Sequence, residues 1–249
     1  MTPVVKRNTL YFNLNDDFVN YKGKAGVIVT VPSGSLEDIE ASISAIFNIL
    51  PGASTSKDSI DIDASTSATV YLQGTDDEDI DIDASTSAMV VVLGTSGNDD
   101  MEVDIDASTS ASVYVAGAND VEVEEASTSA SISLTGSNLE KLDIDDIGTS
   151  ATLFAEFTRG SKMEIDDIST SAEVTVTGLD RIKIKDSFMG TLITDSQSNC
   201  DSVSDLTSGT FSTLTCTVDK SITAPEAPDV PTTVVYDIDL SNNICNISN

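Results

Sequence analysis

The chain contains no histidine and no tryptophan, and aromatic residues make up only 5% of it. Without imidazole there is no His-based triad and no His general base. Paired carboxylates alone can cleave glycosidic bonds. Clefts that do so stack sugars on aromatic rings, which are scarce here, so the expectation is a non-enzyme with no catalytic residues. Cysteine occurs three times, at Cys200, Cys216 and Cys245, without the spacing of a metal-ligand set. That odd, late group reads as buried free thiols, with a Cys200–Cys216 bridge as the alternative. No apolar run has the length of a membrane span. Thr2 to Asn8 is polar and basic, with no apolar run after it as in a secretory leader. Positive charge is also short: 12 Lys and Arg stand against 42 Asp and Glu, giving a net charge of −30. Such a body repels phosphates, which excludes nucleic acid and anionic membranes as partners.

The acids are concentrated. Residues 58–146 hold 22 of them and one base, Lys141. Residues 1–24 are slightly basic, with Lys6, Arg7, Lys22 and Lys24 against Asp16 and Asp17. The last clear repeat carries Arg181, Lys183 and Lys185 where earlier ones carry acids.

What fills the chain instead is one phrase written seven times. Strong copies read Asp63-Ala64-Ser65-Thr66-Ser67-Ala68 and its equivalents from Asp83, Asp106 and Glu125. Weaker ones start at Asp146 and Asp167, and a cryptic first copy runs from Glu40 to Ala45. The residues after the acids are 41, 64, 84, 107, 126, 147 and 168, spaced by 23, 20, 23, 19, 21 and 21. A period near 20 residues is the mark of a solenoid whose repeats are stacked coils.

Alternation places Ala64, Thr66, Ala68, Val70 and Leu72 on one face of a strand, with Ser65, Ser67, Thr69 and Tyr71 on the other. The apolar set faces in. Thr66, Thr86, Thr109, Thr128, Thr149 and Thr170 are therefore expected as a buried ladder, continued by Ile43. An ice-binding surface needs outward threonines and is set aside on that parity. Gly74, Gly94, Gly117, Gly136 and Gly178 recur ten residues after the anchor and read as corners. Residues 35–50 have some helical periodicity, but their alignment with Glu125–Ala130 assigns them to a first coil. Two looser coils follow residue 172, through Ile182, Ile184, Phe188 and Leu192, then Leu206, Phe211, Leu214 and Val218.

The expected fold is thus all-β: a single-stack parallel β-helix, or β-solenoid, of about nine coils with a period of about 21 residues, roughly 40 Å long at about 4.8 Å per strand. Residues 1–34 form an N-terminal cap or docking segment and 35–218 the solenoid. Residues 219–249 form a spacer with Pro225, Pro228 and Pro231, then a strand at 233–238 and a tail.

Two acid columns accompany the stack. One runs Asp63, Asp83, Asp106, Glu125, Asp146, Asp167; the other Asp61, Asp81, Asp104, Glu124, Asp145, Asp166. Carboxylates in such files suit Ca²⁺, which takes several oxygen ligands. Asp61, Asp63, Asp81, Asp83, Asp104 and Asp106 are the candidate ligands. The competing reading is a solvated, screened acidic face with no cofactor.

The text Val103-Asp104-Ile105-Asp106-Ala107-Ser108-Thr109-Ser110-Ala111, then Val113-Tyr114-Val115-Ala116-Gly117, resembles the auto-transporter adhesin head-domain family. The resemblance covers roughly 36–190 and implies a right-handed parallel β-helix. Members of that family usually carry an export or lipoprotein signal, which this sequence lacks. A rigid β-solenoid without one is expected as a virion component, assembled in a host cytoplasm. It would be a bacteriophage spike, fibre or capsid decoration, joined to other virion proteins or copies of itself through residues 1–34 and 225–249. The alternative is an extracellular or cell-surface adhesin that binds its partner through the acidic face, with Ca²⁺ as a candidate cofactor.

Overall fold

A computed structural model describes residues 2–6, 9–13, 28–30, 36–51, 59–75, 79–95, 101–184, 190–197, 199–200, 215–230, 237–239 and 244–246. Expectations placed on Arg7, Lys22, Lys24, Lys185, Phe188, Leu206, Phe211, Leu214 and residues 231–236 lie outside them. The chain forms two compact units, one of Met1–Thr30 with Thr232–Asn249 and one of Val31–Pro231.

In the first unit, β1 (Thr2–Lys6) pairs antiparallel with β2 (Thr9–Asn13). Strand β3 (Ile28–Thr30) belongs to a separate small sheet, completed below by the end of the chain.

The second unit is the solenoid, and each coil contributes two strands. One ladder stacks β4 (Asp38–Ala41), β6 (Ser59–Ala64), β8 (Asp79–Ala84), β10 (Glu102–Ala107), β12 (Asp120–Ala126) and β14 (Leu139–Ile147). The other stacks β5 (Ile46–Ile49), β7 (Thr69–Thr75), β9 (Met89–Gly94), β11 (Ser112–Ala116) and β13 (Ser131–Gly136). Two long strands, β15 (Thr152–Ile168) and β16 (Glu173–Ile184), bend through a corner and serve both ladders. β17 (Thr191–Thr194) and β18 (Thr215–Val218) then extend the second ladder. All pairing is parallel, and about seven turns are complete rather than nine. The first coil is the β-coil expected of residues 35–50, since β4 pairs with β6 and β5 with β7.

In-register stacking carries each side chain onto its counterpart. The first ladder points Ile39, Ile62, Ile82, Ile105, Val123, Ile144, Ile165 and Ile184 inward on successive rungs. The second answers with Val70, Val90, Val113, Ile132, Leu153, Val174 and Leu192, all essentially inaccessible. Each such side chain contributes about 1.5–3 kcal/mol by leaving water. At the last rung Cys216 takes the inward position above Leu192 and is bonded to Cys200. The free-thiol expectation for this pair is therefore wrong. A cross-link closing a loop of this length is worth about 3 kcal/mol, and it sits at the last described rung of the stack.

The threonine ladder is overturned. Ala64 and Ala68 are buried, but Thr66 and Ser67 between them are exposed, with φ of 51° and 63°. Ala68 N–H donates to the Ser65 carbonyl at 3.1 Å, closing a tight turn whose two central residues are both left-handed, the type I′ pattern. The closing bond recurs in all seven copies; both central residues are left-handed in the first five, including Ile43 at φ 52° and 79% exposed, and only the second, Ser150 or Ser171, in the last two. Side-chain parity does not register this turn, because it spans four residues. An even interruption leaves the alternation in phase on both sides. The threonines form one file along a corner, held by backbone bonds between coils such as Ser67 N–H to Thr86 O at 3.0 Å and Ser87 N–H to Thr109 O at 3.1 Å.

Of the five recurrent glycines, Gly74, Gly117 and Gly178 have positive φ. At Gly178 a Cβ would also collide with the Phe157 carbonyl.

After β18, residues 219–230 run back along the outside of the second ladder as an extended strap. Asp219 N–H donates to Thr194 O at 2.9 Å at one end, and the Tyr71 hydroxyl donates to Asp229 O at 2.8 Å at the other. In the first unit, β19 (Asp237–Asp239) pairs parallel with β3 and antiparallel with β20 (Ile244–Asn246). Of the terminal strand expected at 233–238 only Asp237 and Ile238 are described, and they pair with Ile28 and Val29 of the N-terminal segment.

A left-handed conformation costs a non-glycine residue about 1–2 kcal/mol. Replacing Thr109-Ser110 by Asn-Gly, the pair that type I′ turns prefer, should raise unfolding stability by about 1 kcal/mol. Urea midpoints would measure it. A loss of about 1–3 kcal/mol would restore the buried threonine.

Candidate functional site

The outward face of the first ladder carries the charge, in three files. The first is Glu40, Asp63, Asp83, Asp106, Glu125, Asp146 and Asp167. The second is Asp38, Asp61, Asp81, Asp104, Glu122, Asp143 and Glu164, ending in Lys183. Here the sequence alignment went astray. Glu124, placed in this file from its distance to Ala126, is the extra residue of a bulge where the β10–β12 register shifts. Asp145 and Asp166 also lie outside the file, which passes through Asp143 and Glu164. The third file was not anticipated: Asp79, Glu102 and Asp120, then Lys141, Lys162 and Arg181. It changes sign halfway along the stack.

The bases are spent locally. Lys141 lies 2.8 Å from Asp143, Lys162 contacts Glu164, and Lys183 reaches Glu164 at 3.3 Å. Such exposed pairs contribute little individually, but they relieve the upper rungs of the second file. Lower down, no salt bridge among the described residues gives such relief. Asp104 is half-buried, with one oxygen that accepts no hydrogen bond, between Asp81 and Glu122 in its file. Burial, then the charges of Glu122 and Asp81, push its carboxyl up to about 6. Burial and neighbouring carboxylates also raise Asp81, Glu102, Asp106 and Asp146.

The six candidate ligands occupy adjacent rungs of two files, Asp61–Asp81–Asp104 and Asp63–Asp83–Asp106. Among the described residues no three such side chains gather closely enough to hold an ion. The carboxylates run as rows down a sheet and do not close around a point.

The outward face of the second ladder is a different surface, and sequence parity alone did not reveal it. Tyr71 and Val91 point away from the solenoid interior yet are buried, at 4% and 0% exposure. The strap crosses this face. A groove of about 390 Å³ remains under it, bounded by Met89, Tyr114, Ser133 and Phe154 on the sheet and by Pro225 and Pro228 above. Ser133, itself buried, has a hydroxyl without a hydrogen-bond partner on that floor. Three-residue spacing of the prolines was the available signal.

Fold and surface together define a parallel β-solenoid with one charged face and one strapped face. The family profile described as "Putative auto-transporter adhesin, head GIN domain" matches residues 2–138, just over half of the chain, and the protein belongs to that family. The match begins in the N-terminal unit, earlier than the resemblance that the repeat text supports, and stops while the coils continue to Ile184. No curated protein and no solved structure matches the sequence.

Asp104 takes up its proton near pH 6 when folded and near its ordinary value of 3.8 when unfolded. Between those values the native state holds more protons, so stability falls as pH rises through that window. Melting temperature should therefore increase as pH is lowered from 7 to about 4.5. Asp104→Asn should raise stability at pH 7 by about 0.5–1 kcal/mol and flatten this dependence. A melting temperature that falls steadily over the same range would show that the files do not repel.

Added NaCl should raise the melting temperature by screening, while chelator leaves it unchanged. A chelator-sensitive drop, restored by Ca²⁺ and not by Na⁺, would instead make the files ion sites.

Proposed function

We propose that this protein is a non-catalytic adhesin-type head, displayed at a cell surface or outside the cell, whose stacked coils present the charged face to a partner. The observation that carries this reading is the family membership, since an adhesin head is a display module. The three charge files give it an extended ordered surface, with acids at one end of the third file and bases at the other. The Cys200–Cys216 bridge supports an oxidising setting, because structural disulfides persist outside reducing cytoplasm. A virion spike or decoration would use the same stiffness, but nothing in the fold favours it over the setting of the family.

Immunogold labelling and protease shaving of intact source cells test the setting. Label on the cell surface, removed by shaving, is expected. Label found only on purified phage particles would move the protein to the virion and overturn the proposal. Binding of full-length protein to intact cells should fall at least fivefold for the Asp61→Asn/Asp81→Asn/Asp104→Asn variant, which should melt no lower than the native protein at pH 7. Undiminished binding would remove the charged face from the role.

A further inference from the structure

The outward row under the strap alternates large and small. Tyr71, Val91, Tyr114, Ser133, Phe154 and Thr175 occupy successive rungs. Aromatic rings therefore recur every second rung, about 9.6 Å apart. A polyproline II chain completes a turn every three residues, about 9.3 Å. The strap carries Ile222, Pro225 and Pro228 at that spacing. Two periods that agree this closely allow a chain to follow the row over several turns, and Ile222 and Pro228, two periods apart, are both half-buried.

The end-to-end geometry agrees as well. From Thr194 to the rung of Tyr71 there are six strand spacings, about 29 Å. From Asp219 to Asp229 there are ten residues, about 31 Å in polyproline II. Ring-lined grooves with a hydroxyl donating to a peptide carbonyl are a recurrent way to hold such helices, and the Tyr71–Asp229 bond has that form.

The hold is nonetheless light. Among the described residues, hydrogen bonds join the strap to the sheet only at its two ends. Ile222 and Pro228 are half-buried, while Pro225 stands exposed over the groove. Asp219 caps the start through Ser221 N–H at 2.8 Å, a local bond that would survive if the strap swung away.

We propose that this row is a docking track for an extended peptide with an apolar residue at every third position, and that it accepts the strap of a second copy of this chain. The occupant follows from the structure: the segment already seated there has the matching period and is present in every molecule. Exchange in trans remakes the same contacts, so an open strap on two molecules leads to a swapped dimer.

The test uses full-length protein. Isotopically labelled and unlabelled chains are mixed at high concentration, warmed below the melting transition, cooled, and read by native mass spectrometry. Mixed dimers are expected. They should fall at least tenfold when one alanine is inserted after Ala227, which breaks the three-residue register without altering charge. Tyr114→Ala/Phe154→Ala should do the same while circular dichroism stays β-type. Monomer alone at every concentration would overturn the proposal, as would dimers indifferent to the insertion. A fluorescent peptide of residues 219–231 should also bind the Tyr71→Phe protein, whose own strap has lost its hydroxyl anchor, more tightly than a peptide with the prolines moved out of register. Equal binding of the two peptides would remove the track. Tighter binding of an unrelated peptide with proline at every third position would assign it to a foreign partner, against the second copy.

Discussion

Parallel in-register stacking is the constraint on which everything else in the solenoid depends. Once coil lies on coil, a choice made at one position is repeated at every rung, with its benefits and costs multiplied. Inside, this gives the isoleucine file of the first ladder and the Val/Leu file facing it. Outside, it sets carboxylate above carboxylate at roughly 4.8 Å. Burial of one isoleucine is worth about 1.5–3 kcal/mol, and a like-charge pair across a rung costs some tenths to about 1 kcal/mol. The core wins at each rung, so the acid files persist as a tolerated strain. That strain is greatest at Asp104, where burial and both flanking acids act together, and least near Glu164, where two lysines arrive.

The same constraint explains what the sequence disclosed. Repeat spacing and alternation were enough for the coil, its two strands and the cryptic first copy at Glu40–Ala45, because each reflects side-chain identity at fixed intervals. Conformation inside the repeat was not legible. Ala64-Ser65-Thr66-Ser67-Ala68 reads equally well as strand or as strand, turn, strand, since a four-residue turn preserves parity. Asn or Gly at the central positions would have announced the turn, and this chain uses Thr and Ser there instead. The first acid file was legible as far as Asp167, the second only to Asp104. There a single inserted residue, Glu124, shifted the count and hid the continuation through Glu122 and Asp143.

Long-range returns were the other illegible part. Nothing local in Ser221–Val230 says that it lies on Tyr71, Tyr114 and Phe154, because the contact depends on a match between two periods in distant segments. Aromatics were scarce enough to argue against a sugar cleft. Their alternation with Val91 and Ser133, however, only becomes a row once the rungs are known. A similar return pairs Asp237–Asp239 with Ile28–Thr30, drawing both chain ends into one small sheet.

A solenoid must also finish. Each open end exposes backbone that could pair with another chain and apolar positions that the next coil would have covered. At the late end the chain answers with Cys216 in the inward file, its bond to Cys200, and the Asn199 amide donating to the Leu179 carbonyl and the Thr194 hydroxyl. At the early end Phe47 occupies the inward file below Val70 and is 42% exposed, with Ile46 and Leu50 beside it. The two ends of the stack are therefore finished differently, one by a covalent bond and one by partly exposed apolar side chains. The charge gradient runs in the same sense, with the bases Lys141, Lys162 and Arg181 towards the closed end and the unrelieved acids towards the other. Position along the stack therefore determines which charge a coil offers, and the two ends differ in how their inward files are covered.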